Sequence, residues 1–167
     1  MYNNQQSAKR GISNPGGKTS PKQQRLSLRQ DLDLAIQHHT AGRLPEAESI
    51  YQQLLQVDPD HPDALHLLGM IYHQVGENDR AVDLIMRALA IKPEFAEAHG
   101  NLGTVLKKLG RLDEAIASYR KALEINPAFV EIEYNLGNAL REYGQLEEAV
   151  VHCRKAIQIK PDHTEAC

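Results

Sequence analysis

An all-α solenoid of antiparallel helix pairs is the fold that this 167-residue sequence predicts, and three observations predict it. Gly42, Gly76, Gly110 and Gly144 recur every 34 residues. Pro59, Pro93, Pro127 and Pro161 share that spacing. So do two ladders of mostly small residues, Ala47, Ala81, Ala115 and Ala149, and Leu54, Ala88, Ala122 and Ala156. A fixed period of this size means that each unit is one helical hairpin. Such a unit cannot bury its apolar face alone, so neighbours stack, and the stack offers a groove rather than a reaction pocket.

Taken in order, residues 1–27 read as a disordered basic leader, rich in Gln, Asn, Ser, Gly and Lys and broken by Pro15, Gly16, Gly17 and Pro21. Such a segment buries too little apolar area to offset the entropy of ordering. The solenoid occupies 28–167, with units at about 28–61, 62–95, 96–129 and 130–163 and the start of a fifth at 164. Helices are expected at 28–41 and 45–57, 62–75 and 79–91, 96–109 and 113–125, and 130–143 and 147–159. Each first helix ends at a ladder glycine, the residue that adopts the left-handed conformation without a Cβ penalty. The second helices carry early acids, as in Asp113-Glu114 and Glu147-Glu148, which suit a positive helix N-terminus. Pro45 falls at the start of one, where its missing N–H costs nothing. Each stops before an X-Pro step such as Asn126-Pro127, because proline pushes the preceding residue out of the helical region.

The small positions explain the packing. Ala35, Gly69, Gly103 and Gly137 fall on the first helices and let two backbones approach. Leu68, Tyr72 and Ile85, then Leu102, Leu106 and Tyr119, then Leu136, Leu140 and Cys153 fill the seam at amphipathic spacing. Cys153 reads as a small buried hydrophobe in the slot that Tyr51 and Tyr119 fill elsewhere.

Charge is unevenly placed. Residues 1–30 hold six of the 19 basic side chains (Lys9, Arg10, Lys18, Lys22, Arg25, Arg29) and no acid, whereas the other 13 share the body with all 22 acids. The leader is either a solvated tail or a patch for nucleic acid or anionic lipid. With Tyr2 as its one aromatic, the second reading is the weaker. Two cysteines, Cys153 and Cys167, make no disulfide framework, and a cytoplasmic setting is expected. The first thirty residues lack an apolar signal core, and no run reaches the ~18 residues of a bilayer span.

The arrangement resembles the tetratricopeptide repeat. The match is carried by NLGTVLKKLGRLDEAIASYRKALEINP (101–127), NLGNALREYGQLEEAVVHCRKAIQIKP (135–161) and HLLGMIYHQVGENDRAVDLIMRALAIKP (66–93), and it covers about 28–167. Unit one departs from it, with Ala35 in place of glycine and His38 in place of a large apolar residue, as an end unit does. The resemblance implies a right-handed superhelix whose first helices line the concave face. More narrowly, the chain looks like the superhelical arm of O-linked N-acetylglucosamine transferases and their bacterial relatives, where an asparagine ladder holds the backbone of protein substrates. Asn101 and Asn135 match that ladder, and Asp33 and Leu67 do not. The catalytic domain of that family is absent from these residues, so transfer activity is not carried over.

On this reading the partner-binding candidates are His66, Met70 and His73 in unit two, Asn101, Thr104, Lys107 and Lys108 in unit three, and Tyr134, Asn135, Asn138 and Arg141 in unit four. An asparagine amide both donates and accepts, so it can pair with a peptide unit whatever the partner's side chains. Equally, Asn101 and Asn135 can bond the neighbouring repeat. Lys107, Lys108 and Arg141 either hold acidic groups of a partner or form a solvated face. The family's carboxylate clamp for chaperone tails needs basic residues where this chain has His66, Met70, Gly100, Thr104, Tyr134 and Asn138, which argues against that mode.

No metal, cofactor or catalytic residue is expected. His66 and His73 lie two helical turns, ~10 Å, apart, too far to share one ion directly. No Cys-x-x-Cys, His-Glu-x-x-His, Gly-x-Ser-x-Gly, phosphate-loop or dinucleotide pattern occurs. The expected function is a non-catalytic scaffold for an extended peptide or a partner protein. The rivals are a substrate-recognition arm of a glycosyltransferase and an adaptor working through its basic leader. The open apolar side of helix 147–159 further predicts self-association, or continuation into a longer solenoid, and Cys167 offers a thiol for crosslinking two copies.

Overall fold

The computed structural model describes residues 20–160, so the leader up to residue 19 and residues 161–167, Cys167 among them, lie outside the described residues. Eight helices follow one another: α1 (Pro21–Thr40), α2 (Leu44–Val57), α3 (Pro62–Gln74), α4 (Asn78–Ile91), α5 (Ala96–Lys108), α6 (Leu112–Ile125), α7 (Val130–Tyr143) and α8 (Leu146–Ile159). Odd and even helices pair as hairpins, and each even helix then packs on the next odd one. Seven of the helices begin and end within about one residue of the sequence reading.

α1 differs: it starts at Pro21 rather than 28. The Ser20 side chain accepts from the Gln23 N–H while the Gln23 side chain accepts from the Ser20 N–H, a complete capping box. Pro21, read above as a breaker, therefore occupies the first helical turn, where proline is favoured.

Every first helix closes on a glycine at positive φ: Gly42 at 73°, Gly76 at 86°, Gly110 at 76° and Gly144 at 93°. The residue after each glycine donates back to a carbonyl of the last turn, as Glu77 N–H does to Tyr72 at 2.8 Å and Gln145 N–H to Leu140 at 2.9 Å. This closes the helix in the 6→1 manner of a Schellman motif.

Within the hairpins, the small ladder meets the large one at van der Waals contact or closer. A Cβ added to Gly69 would lie 2.9 Å from Ile85 Cγ1, one on Gly103 2.6 Å from Tyr119 Cε1, and one on Gly137 2.7 Å from Cys153 Sγ. All the seam residues named above are buried, and the core runs unbroken from Ala35 to Ala149. Cys153 takes the tyrosine slot but is disulfide-bonded rather than a free thiol, and Ile85 takes the slot in the second hairpin.

The two slot tyrosines are not equivalent. Tyr119 donates to Thr104 Oγ1 at 3.2 Å. In the first hairpin Ile36 stands where Thr104 stands, and Tyr51 OH is buried with no partner among the described residues. Burial alone pushes the Tyr51 hydroxyl up to about 12.

Two predictions follow from these contacts and are read by urea denaturation. Gly103→Ala lowers stability by roughly 1–3 kcal/mol through overpacking. Joined to Tyr119→Ala, it costs less than the sum of the single changes, since the ring it strikes is gone. Tyr119→Phe costs about 1 kcal/mol, whereas Tyr51→Phe is neutral or stabilising because it removes a buried hydroxyl that bonds nothing.

Candidate docking groove

Neighbouring odd helices touch along one line, α3 with α5 and α5 with α7, as the inner elements of a curved stack do. The first turns of these helices carry Asp63, Glu97 and Glu131, and their last turns carry His73, Lys107, Lys108 and Arg141. Each placement suits the helix dipole. It also puts acidic residues at one end of these helices and basic residues at the other, a helix length of ~20 Å apart.

Several predicted contact residues are already engaged. His66, expected among the partner contacts, is 3% exposed. Its position faces the next odd helix, and in later units it is held by Gly100, against which Ile132 packs, and by Tyr134. His66 Nε2 lies 2.8 Å from Asn101 Nδ2, and its ring sits edge-on to Phe95 at 4.9 Å. Burial, with Lys92 and His39 adding to it and Asp63 opposing, lowers the imidazole to about 4, so it is neutral at neutral pH. Lys92 Nζ caps the Phe95 ring at 4.0 Å and reaches Asp63 at 3.5 Å.

Other candidates hold the scaffold. His73 Nδ1 is 2.7 Å from Asn78 Oδ1 across its own turn. Thr104 donates to the Gly100 carbonyl at 3.2 Å while accepting from Tyr119. Lys107 bridges to Glu142 on α7 at 2.8 Å, linking two odd helices. Met70 is half-buried against the core.

What remains turned outward is smaller than the sequence suggested. Asn135 and Asn138 are half-buried, Lys108 and Arg141 are exposed, and none of the four has a hydrogen-bond or ion-pair partner among the described residues. Asn135 borders a cavity of about 510 Å³ with Val130, Glu131, Tyr134 and Lys160. Asn138 and Arg141 border a second, of about 420 Å³, floored by Leu146, Val150 and Ile157. The two asparagines of the expected ladder thus differ: Asn101 bonds the preceding repeat, and Asn135 is open.

One buried polar pair escaped the sequence reading. Glu133 is buried on α7, with His152 Nδ1 at 2.5 Å and Lys155 Nζ at 4.0 Å. The period carried no warning, since Leu65 and His99 hold the equivalent positions. Among the described residues no cluster of three or more His, Cys, Asp or Glu is arranged to hold a metal ion, and no helix is long and apolar enough to cross a membrane.

Family models for the tetratricopeptide repeat match residues 38–102, 96–129 and 130–163. Among solved structures the chain is similar to a crystal structure of MamA (26% identity, TM-score 0.75, covering 83% of this chain and 81% of that one). It is also similar to the Thermobaculum terrenum O-GlcNAc transferase K341M mutant (28% identity, TM-score 0.77), covering 84% of this chain but only 27% of that one. MamA 41-end from Desulfovibrio magneticus RS-1, at 18% identity and TM-score 0.73 over 84% of this chain and 80% of that one, shares the fold. No characterised protein sequence matched the chain. The recurring hairpins, their glycine closures and these matches together show that the chain belongs to the tetratricopeptide repeat family.

Proposed function

We propose that this chain is a non-catalytic scaffold that holds an extended peptide segment of a partner protein along its concave face. The observation that carries this reading is Asn135. Its amide is unpaired, half-buried and beside a cavity, where it can donate to and accept from one peptide unit. Lys108 and Arg141, exposed at the basic end, favour acidic side chains in the segment. The distribution of unpaired polar groups, rather than any catalytic pair, supports binding without a bond made or broken.

A second reading is favoured by the similarity to the O-GlcNAc transferase structure, of which this chain spans about a quarter. Here the solenoid serves as the substrate-recognition arm of a glycosyltransferase. A coding sequence that continues beyond Cys167 into an α/β catalytic domain selects this reading, and a stop codon there removes it.

Self-association is proposed on separate grounds. Val150 is 48% exposed on α8, whereas its equivalents Val82 and Ile116 are 5% and 4% exposed under the next hairpin. Leu34 on α1 is likewise exposed where Leu68, Leu102 and Leu136 are buried. The two faces are halves of one repeating interface, so a second copy can stack head to tail.

Two experiments test these statements. With a photo-crosslinking residue at position 138 or at position 87 on α4, a partner is captured from the concave position and not from the other. Asn135→Ala then weakens that partner about tenfold with the helical circular dichroism unchanged, and equal capture at both positions contradicts the groove. In sedimentation equilibrium the wild-type chain associates with rising concentration and Val150→Asp does not. A strictly monomeric wild type contradicts head-to-tail stacking.

A further inference from the structure

The amide of Asn101 has one hydrogen-bond partner among the described residues, the ring nitrogen Nε2 of His66, 2.8 Å from Nδ2. That contact is a hydrogen bond only if the ring presents a lone pair at Nε2 and carries its proton on Nδ1. If Nε2 carried the proton, two donors would face each other, and the amide would have to invert to turn its oxygen to the ring. His66 is 3% exposed and wedged edge-on against Phe95, which Lys92 covers, so the ring has little freedom to turn away. Asp63, one turn earlier on the same helix, is the nearby negative charge that acts on this imidazole. With Nδ2 held by the ring, the oxygen of the same planar amide points elsewhere, and it accepts no hydrogen bond among the described residues. Asn135 has no such anchor: Gly100 holds the position that His66 holds for Asn101, and the Asn135 amide can turn over to suit a partner.

We infer that His66 is a positioning residue, which fixes the Asn101 amide with its oxygen offered to the groove, so that this rung requires a hydrogen-bond donor, such as a backbone N–H, from the bound peptide. The inference rests on the groove reading above and deepens it. A proline or an N-methylated residue is refused at the Asn101 rung and tolerated more readily at the Asn135 rung. Removing the histidine frees the amide to invert and relaxes that selection.

The test uses the full ¹⁵N-labelled chain. A through-hydrogen-bond nitrogen–nitrogen coupling joins Asn101 Nδ2 to an unprotonated His66 Nε2, and it is absent in His66→Phe. Because the imidazole is lowered to about 4, below its ordinary 6.5, the folded chain resists protonation there. The contribution to stability is therefore present above about 6.5 and is lost as pH falls towards 4, where the coupling also disappears. A proton on Nε2, or no coupling at pH 7, overturns the assignment. In the second arm, a peptide is selected on the wild-type chain from a random 12-residue phage library and scanned by N-methylation. One position loses at least tenfold in wild type and about threefold or less in His66→Phe. An equal loss in both chains overturns the donor requirement. If no peptide is selected, the groove reading fails and the donor requirement with it, whatever the coupling shows.

Discussion

In three of the four hairpins the first helix offers a bare stretch of backbone to one side chain on the second: Gly69 to Ile85, Gly103 to Tyr119 and Gly137 to Cys153. The space at these points is smaller than a methyl group. Packing at this density gives the pair one register and one separation, because dispersion forces fall away steeply with any gap. The alanines at 47, 81, 115 and 149 keep the second helix equally slim where it meets the first. Since the same contact recurs every 34 residues, each hairpin repeats the last, and the stack propagates with a constant rotation per unit.

The groove is a consequence of that repetition. Odd helices lie close together on the inner line, so residues at one register position face their counterparts one unit away. Whether such a residue is available to a partner depends on the size of what sits there. Gly100 lets Ile132 pack down, whereas His66 fills the gap and captures Asn101. Lys107 and Glu142 neutralise each other across the same line, which leaves Lys108 and Arg141 as the outward basic groups. Surface pairs of this kind contribute little to stability.

The repeat period made the fold legible because glycine closures and X-Pro stops are local chemistry, readable from adjacent residues. The beginning of α1 was less so: Ser20 and Gln23 form a capping box, yet Pro21 masks it by looking like an interruption. The groove was legible in outline only. That Asn101 is anchored and Asn135 is open depends on which side chain precedes the equivalent asparagine one unit earlier, and periodicity does not report such a pairing. Glu133 with His152 is similar: two polar residues 19 positions apart meet at positions that Leu65 and Leu84 hold in the second unit. The leader and Cys167, where charge and thiol chemistry were singled out, lie outside the described residues.

Membership of the tetratricopeptide repeat family agrees with a protein-interaction scaffold. All of it depends on the close approach within each hairpin. The most direct measurement is the proton spectrum of the folded chain at Gly103. The account predicts strong nuclear Overhauser effects from the Gly103 α-protons to the Tyr119 ring, with those α-protons shifted by the ring current. Unshifted Gly103 α-protons without such effects contradict it.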